Sequence, residues 1–170
     1  MKKLVLPALL ALTLAACSST GPETAGTSVE DRGAGVATVT AGSASGSGIA
    51  ALTDPNNILS KRSVFFDFDS YVIKQEARAL VEAHARFLVQ TPQMRMLIQG
   101  NTDERGSREY NLALGQKRAD VVKQALMLLG AKEAQIESVS LGEEKPRCED
   151  RTEACYGENR RGDMLYSGEF

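Results

Sequence analysis

The sequence has little from which to build a metal centre or a histidine-driven active site: its 170 residues include one histidine and three cysteines. Any proton shuttle or nucleophile–histidine pair would have to use His84. That residue falls on the apolar stripe of a helix, where a satisfied core histidine is the plainer reading. No G-x-S-x-G, H-E-x-x-H or P-loop pattern occurs, which removes the common hydrolase, zinc-protease and nucleotide-binding signatures. A net charge of -2 excludes nucleic-acid binding by bulk charge. No internal repeat is visible. The apolar run Leu4–Leu14 spans 11 residues, well short of the ~20 that cross a bilayer.

That short run has another use. Lys2 and Lys3 precede it, and small residues follow up to Cys17, the order expected of a secretory signal peptide. Leu14-Ala15-Ala16-Cys17 also resembles the lipobox of bacterial lipoproteins, which predicts a signal peptide over 1–16 and lipid on Cys17. Ser18 after the cysteine implies sorting to the outer membrane, and several acyl chains would make the anchor lasting. Residues 17–53 are rich in Gly, Ser, Thr and Ala and poor in large apolar residues, so they are expected to form a disordered tether. Such a tether has a root-mean-square span of roughly 30–35 Å.

The folded domain is expected over 54–170. SVFFDFD (63–69) reads as a strand ending at Asp69. Residues 73–90 carry Ile73, Ala77, Leu80, Val81, His84, Phe87 and Leu88 on one helical face, and Pro92 ends the helix. MRMLIQG (94–100) reads as a second strand. A helix over 107–129 follows, with Gly130 at its end. IESVSLG (136–142) and a short DMLYS (163–167) read as the last strands. The order βαβα and then two strands predicts an α/β sandwich, one sheet covered by helices on one side. Cys148 and Cys155 are seven apart in a polar loop. For an exported chain this favours a disulfide, since two thiols without a nearby histidine make only half a zinc site.

The 107–129 helix sets a puzzle. Leu114, Val121, Val122, Ala125 and Leu129 form its apolar stripe, and Arg118 falls inside it, so a permanent cation sits at the edge of a buried face. Unpaired, it would cost roughly several kcal/mol in lost hydration. Asp103, in the loop before the helix, can flank the same cleft. An acid and an arginine converging there form a receptor for a zwitterion, the carboxylate taking an ammonium and the guanidinium fork a carboxylate. Alternatively the two residues form an internal salt bridge; spacing alone does not choose. A third option, an acid pair drawn from Asp67, Asp69, Asp103 or Glu104, would suit a glycosidase.

Four stretches in order, FFDFDSYVI, GNTDERGSREYNLALGQKRA, SLGEEKP and ENRR, resemble the OmpA-like peptidoglycan-binding domains, and among them the peptidoglycan-associated lipoproteins of the Tol-Pal system. The resemblance covers nearly all of 60–166. It implies an α+β fold with a mixed sheet and two main helices, no catalysis, no cofactor, and binding of the diaminopimelate side chain of the peptidoglycan stem peptide. It assigns Asp103 to the ammonium and Arg118 to the carboxylate of that side chain. Phe68, Asp69 and Leu114 match residues lining the cleft. Thr102, Arg105, Asn111 and Arg160 match positions that touch ligand or brace the loop. A further implied partner is the propeller protein TolB, with other Tol proteins; a murein hydrolase is the enzymatic rival. Two positions depart from the family pattern: Asn101 replaces a histidine common there, and Gly162 is expected to weaken the last strand.

Overall fold

A computed structural model describes residues 44–170, with side chains from Ile49 onward. The expected signal peptide, the lipidation site Cys17 and most of the expected tether lie outside the described residues. The last stretch of that tether, Ala44–Thr53, is a helix (α1). Its Leu52 is buried in the core, and its Leu52 carbonyl accepts a hydrogen bond from Arg62 Nη2. Packed structure therefore starts before Asp54.

Four strands form one mixed sheet: β1 (Ser63–Phe65), β2 (Met96–Asn101), β3 (Ile136–Gly142) and β4 (Arg161–Tyr166). Their order is β1-β4-β2-β3, with β4 antiparallel to both neighbours and β2 parallel to β3. The helices are α2 (Arg78–Gln90), α3 (Arg108–Leu128) and a short α4 (Glu153–Asn159). Alternation along β2 sends Met96 and Ile98 into the core beside Met164 and Tyr166 of β4, and Val122 and Leu126 of α3 and Val81 and Leu88 of α2 close it.

The α3 stripe is rotated from the expected one. Asn111, Leu114, Gly115, Arg118, Ala119, Val122 and Leu126 are buried, whereas Leu129 is half-exposed at 46%. Arg118 thus lies at the centre of the face, four residues from Leu114 and four from Val122. The stripe shifts because α3 meets the sheet through two glycines. A Cβ on Gly115 would lie 2.7 Å from the Gly100 carbonyl oxygen, and one on Gly100 would overlap the Gly115 carbonyl. Backbone-to-backbone contact there sets α3 directly over the end of β2.

Three local expectations are corrected. β1 stops at Phe65, because the chain leaves the sheet after Phe66 and reaches Asp69 at φ 52, a left-handed conformation; Phe68 and Asp69 are loop residues. The cysteine loop contains the short helix α4, capped by the Thr152 side chain accepting from the Cys155 N–H. Gly162 does not interrupt the last strand: it sits within β4, opposite Val64 and Gly100, where Phe66 and Val122 fill the space beside it. His84 is a core residue, bonded to the Tyr166 hydroxyl at 2.7 Å and the Lys61 carbonyl at 2.8 Å, and burial pushes its pKa down to about 4. Cys148 and Cys155 are joined by a disulfide in the structure.

Candidate functional site

Three segments converge beside the N-terminal half of α3: the loop after β1, the T-D-E-R-G loop after β2, and Arg160 at the end of α4. The second loop turns at Gly106, whose φ of 115 favours glycine, and Ser107 then caps α3 by accepting the Tyr110 N–H. Between these segments lies a cleft of about 190 Å³, below the roughly 300–1,000 Å³ usual for a drug-sized ligand. All nine residues nominated from the sequence line it: Phe68, Asp69, Thr102, Asp103, Arg105, Asn111, Leu114, Arg118 and Arg160. Gly106 and Tyr110 complete the lining. Tyr110 was legible in principle, being one turn before Leu114 on the same face, and its hydroxyl donates to the Asp69 carboxylate.

Arg118 is fully buried, and backbone carbonyls rather than an acid satisfy it. Nε donates to the Ser70 carbonyl at 2.8 Å, Nη1 to the Asn101 carbonyl at 2.9 Å and Nη2 to the Asp67 carbonyl at 3.1 Å. Nor does the internal salt bridge to Asp103 form: among the described residues Arg118 makes no ion pair, and all its partners are neutral. Burial pushes its pKa down to about 10, so it remains charged at neutral pH. Of its five N–H groups, three are used, leaving one on each terminal nitrogen.

Asp103 is held by cations of its own. Oδ2 accepts from Arg105 Nη2 at 2.7 Å and Arg160 Nη1 at 3.1 Å, while Oδ1 accepts the Arg105 backbone N–H at 3.1 Å. Burial acts to raise its pKa, but the hydrogen bonds from Arg105 and Arg160 outweigh burial and leave it below the ordinary carboxylate value. A general acid needs the opposite shift. Asp67, Asp69 and Glu104 are exposed and bonded to Lys74, Tyr110 and Arg151 respectively, so the four acids do not form a facing catalytic pair. The Thr102 hydroxyl is buried and has no partner among the described residues.

A larger depression of about 530 Å³ shares Thr102 with the cleft, but four of its acids, Glu104, Glu144, Glu149 and Asp150, are exposed, and the fifth, half-buried Glu143, accepts from the Asn111 side chain. Charge buried against a small cavity is the stronger mark of a binding site. The cleft has it; the depression does not.

Residues 65–160 match the model of the OmpA family. The peptidoglycan-associated lipoprotein of Haemophilus influenzae is 40% identical over 153 residues, 90% of each chain. The chain belongs to the OmpA family, among its peptidoglycan-associated lipoproteins. The Pasteurella multocida peptidoglycan-associated lipoprotein is 48% identical over 104 residues, 61% of this chain and 69% of that one. The crystal structure of the Burkholderia pseudomallei peptidoglycan-associated lipoprotein superposes with a TM-score of 0.68 at 56% identity, covering 69% of this chain and 99% of that one. At 21% identity the C-terminal domain of Helicobacter pylori MotB shares the fold, with a TM-score of 0.58 over 63% of this chain and 84% of that one. The mixed four-stranded sheet with its helices is thus the fold of this family.

Proposed function

We propose that this protein is a non-catalytic lipoprotein, anchored in the outer membrane by lipid on Cys17 and facing the periplasm, that holds peptidoglycan non-covalently by the diaminopimelate of its stem peptide. The observation that carries this reading is Arg118. It is a buried guanidinium at the cleft whose partners are all neutral carbonyls, with two N–H groups left for a carboxylate. Arg105 and Arg160 are paired with Asp103 and Glu153, which leaves Arg118 as the arginine of the lining without an anion among the described residues. The ammonium of diaminopimelate goes to Asp103, with Asp69 as the second carboxylate of the lining. Asp103 has one acceptor position left, on Oδ1 beside the Arg105 backbone N–H, since both arginine side chains occupy Oδ2. The Thr102 hydroxyl supplies a further polar contact, and Phe68, 58% exposed, covers the aliphatic part of the side chain.

Charge-assisted contacts of about 1.5–3 kcal/mol each give modest affinity at one site. A lipid anchor and tether would confine the domain beside a polymer carrying many copies of the ligand, so effective concentration supplies what single-site affinity does not. Incubation with purified sacculi tests the reading: the protein should sediment with them and release no soluble fragments. Release of fragments would support the murein hydrolase instead.

A second partner is favoured by the loop that supplies Arg118 with two of its carbonyls. Phe68, Tyr71 and Val72 stand there 58%, 43% and 67% exposed, an apolar rim suited to a protein surface. Binding of TolB and other Tol proteins over this rim would compete with peptidoglycan, making the two states exclusive.

A further inference from the structure

Asp103 and Arg105 are not held by their own loop alone. The Glu153 carboxylate takes Arg105 Nη1 at 3.2 Å on one oxygen and Arg160 Nη2 at 2.8 Å on the other, and both arginines reach Asp103 Oδ2. The four side chains close a ring of alternating charge. Arg105 is also stacked: its guanidinium carbon lies 4.2 Å from the centre of the Phe68 ring and 4.4 Å from that of Tyr156. Glu153, Tyr156 and Arg160 all come from α4 or its end, although neither Glu153 nor Tyr156 lines the cleft.

The helix that supplies them is seven residues long and too short to hold itself. It is pinned at both ends to the segment before it. Cys155 in its first turn is bonded to Cys148, and Asn159 at its end accepts the Arg147 and Cys148 N–H groups and donates to the Cys148 carbonyl at 2.7 Å.

We infer that α4 is the positioning element of the cleft, Tyr156 and Glu153 holding Arg105 against Phe68 and Asp103, with the Cys148–Cys155 bridge fixing α4 for that role. This rests on the reading of the cleft as the diaminopimelate site. Phe68 and Asp103 are two of the groups that would meet the ligand, so a loosened Arg105 leaves one without its stacking partner and the other with a displaced counter-ion. Tyr156 contributes more than Glu153, because Glu153 is largely exposed and its ion pairs are weakened by water.

The test is calorimetric titration of full-length protein carrying Cys17→Ala with a diaminopimelate stem peptide. Tyr156→Ala should bind roughly 3- to 10-fold more weakly, and Glu153→Gln roughly 2- to 4-fold more weakly. Tyr156→Phe, which keeps the ring under Arg105 and loses only the hydroxyl, should bind like the parent. The Cys148→Ser, Cys155→Ser double variant should weaken binding as well, and adding Tyr156→Ala to it should cost less than the sum, since both act through Arg105. Parent-like binding by Tyr156→Ala, or equal loss in Tyr156→Phe, would overturn the inference while leaving the site reading intact. If the parent itself does not bind, the site reading fails and this inference with it. Should the cysteine variant fail to fold, the comparison of alanine with phenylalanine at Tyr156 decides the matter.

Discussion

Replacing Arg118 with methionine keeps an unbranched side chain of moderate length and removes all five donors. The carbonyls of Asp67, Ser70 and Asn101 then lose their partner. The Asn101 bond is fully buried, so its carbonyl stays unsatisfied at about 1–3 kcal/mol; the bonds to Asp67 and Ser70 are part-buried, and water recovers much of what they lose. Removing a buried cation returns some of its desolvation cost. The balance is a loss of about 2–4 kcal/mol of folding stability, concentrated in the loop that carries Phe68 and Asp69. Arg118→Lys should recover less than half, because one ammonium cannot reach three carbonyls set around a planar fork. Urea denaturation of protein carrying Cys17→Ala, followed by far-ultraviolet circular dichroism, gives the free energy, and hydrogen exchange over 67–72 shows where it is lost. A methionine variant within about 0.5 kcal/mol of its parent, with unchanged exchange in that loop, would refute the claim that Arg118 organises the cleft wall before any ligand arrives.

Gly100→Ala should destabilise the domain by about 3 kcal/mol or more, because the new methyl meets the rigid Gly115 carbonyl rather than a movable side chain; the thermal midpoint measures this. His84 should impose a pH dependence. Its folded pKa of about 4 lies below the 6.5 of the unfolded chain, so its contribution is complete above pH 6.5, falls as the unfolded state takes up a proton, and is gone near pH 4. The loss amounts to about 3 kcal/mol, and a pH series of urea midpoints should show a flatter profile for His84→Gln. Cys17→Ala should leave a protein that binds sacculi but no longer fractionates with the outer membrane; continued membrane residence would show that the anchor lies elsewhere.

Much of the site was legible in sequence order because its residues fall in two compact motifs, F-D before α2 and T-D-E-R-G running into α3. The helical period then carries Asn111, Leu114 and Arg118 to the same face as that loop. What the sequence could not disclose is what satisfies Arg118. Its acceptors are backbone carbonyls, which every residue possesses, and two of them lie 48 and 51 residues away in a loop. Side-chain chemistry suggested an acid, whereas the fold supplied peptide groups. The rotation of the α3 stripe escaped for a similar reason: the Gly100–Gly115 contact is a property of two glycines 15 apart, invisible to a count of apolar residues. α4 was read as loop because its sequence, EACYGEN, is polar and contains a glycine. The Thr152 cap, the disulfide and the Asn159 clasp stabilise it where propensity does not. β1 was read too long because Phe66 and Phe68 favour a strand, while the positive φ at Asp69 and the pull of Arg118 on two carbonyls turn the chain out of the sheet.

The most direct test of the account is calorimetric titration with stem peptides that differ only at the third residue. A diaminopimelate peptide offers both a carboxylate for Arg118 and an ammonium for Asp103 and Asp69, whereas its lysine counterpart keeps the ammonium and lacks the carboxylate. Leaving the guanidinium without its anion should cost on the order of 2–5 kcal/mol, a loss of about 30-fold or more in affinity. A peptide amidated at that carboxylate should lose binding in the same way. Equal affinity for the diaminopimelate and lysine peptides would mean that the carbonyls of Asp67, Ser70 and Asn101 are all the partners Arg118 requires, and that the cleft does not read the carboxylate.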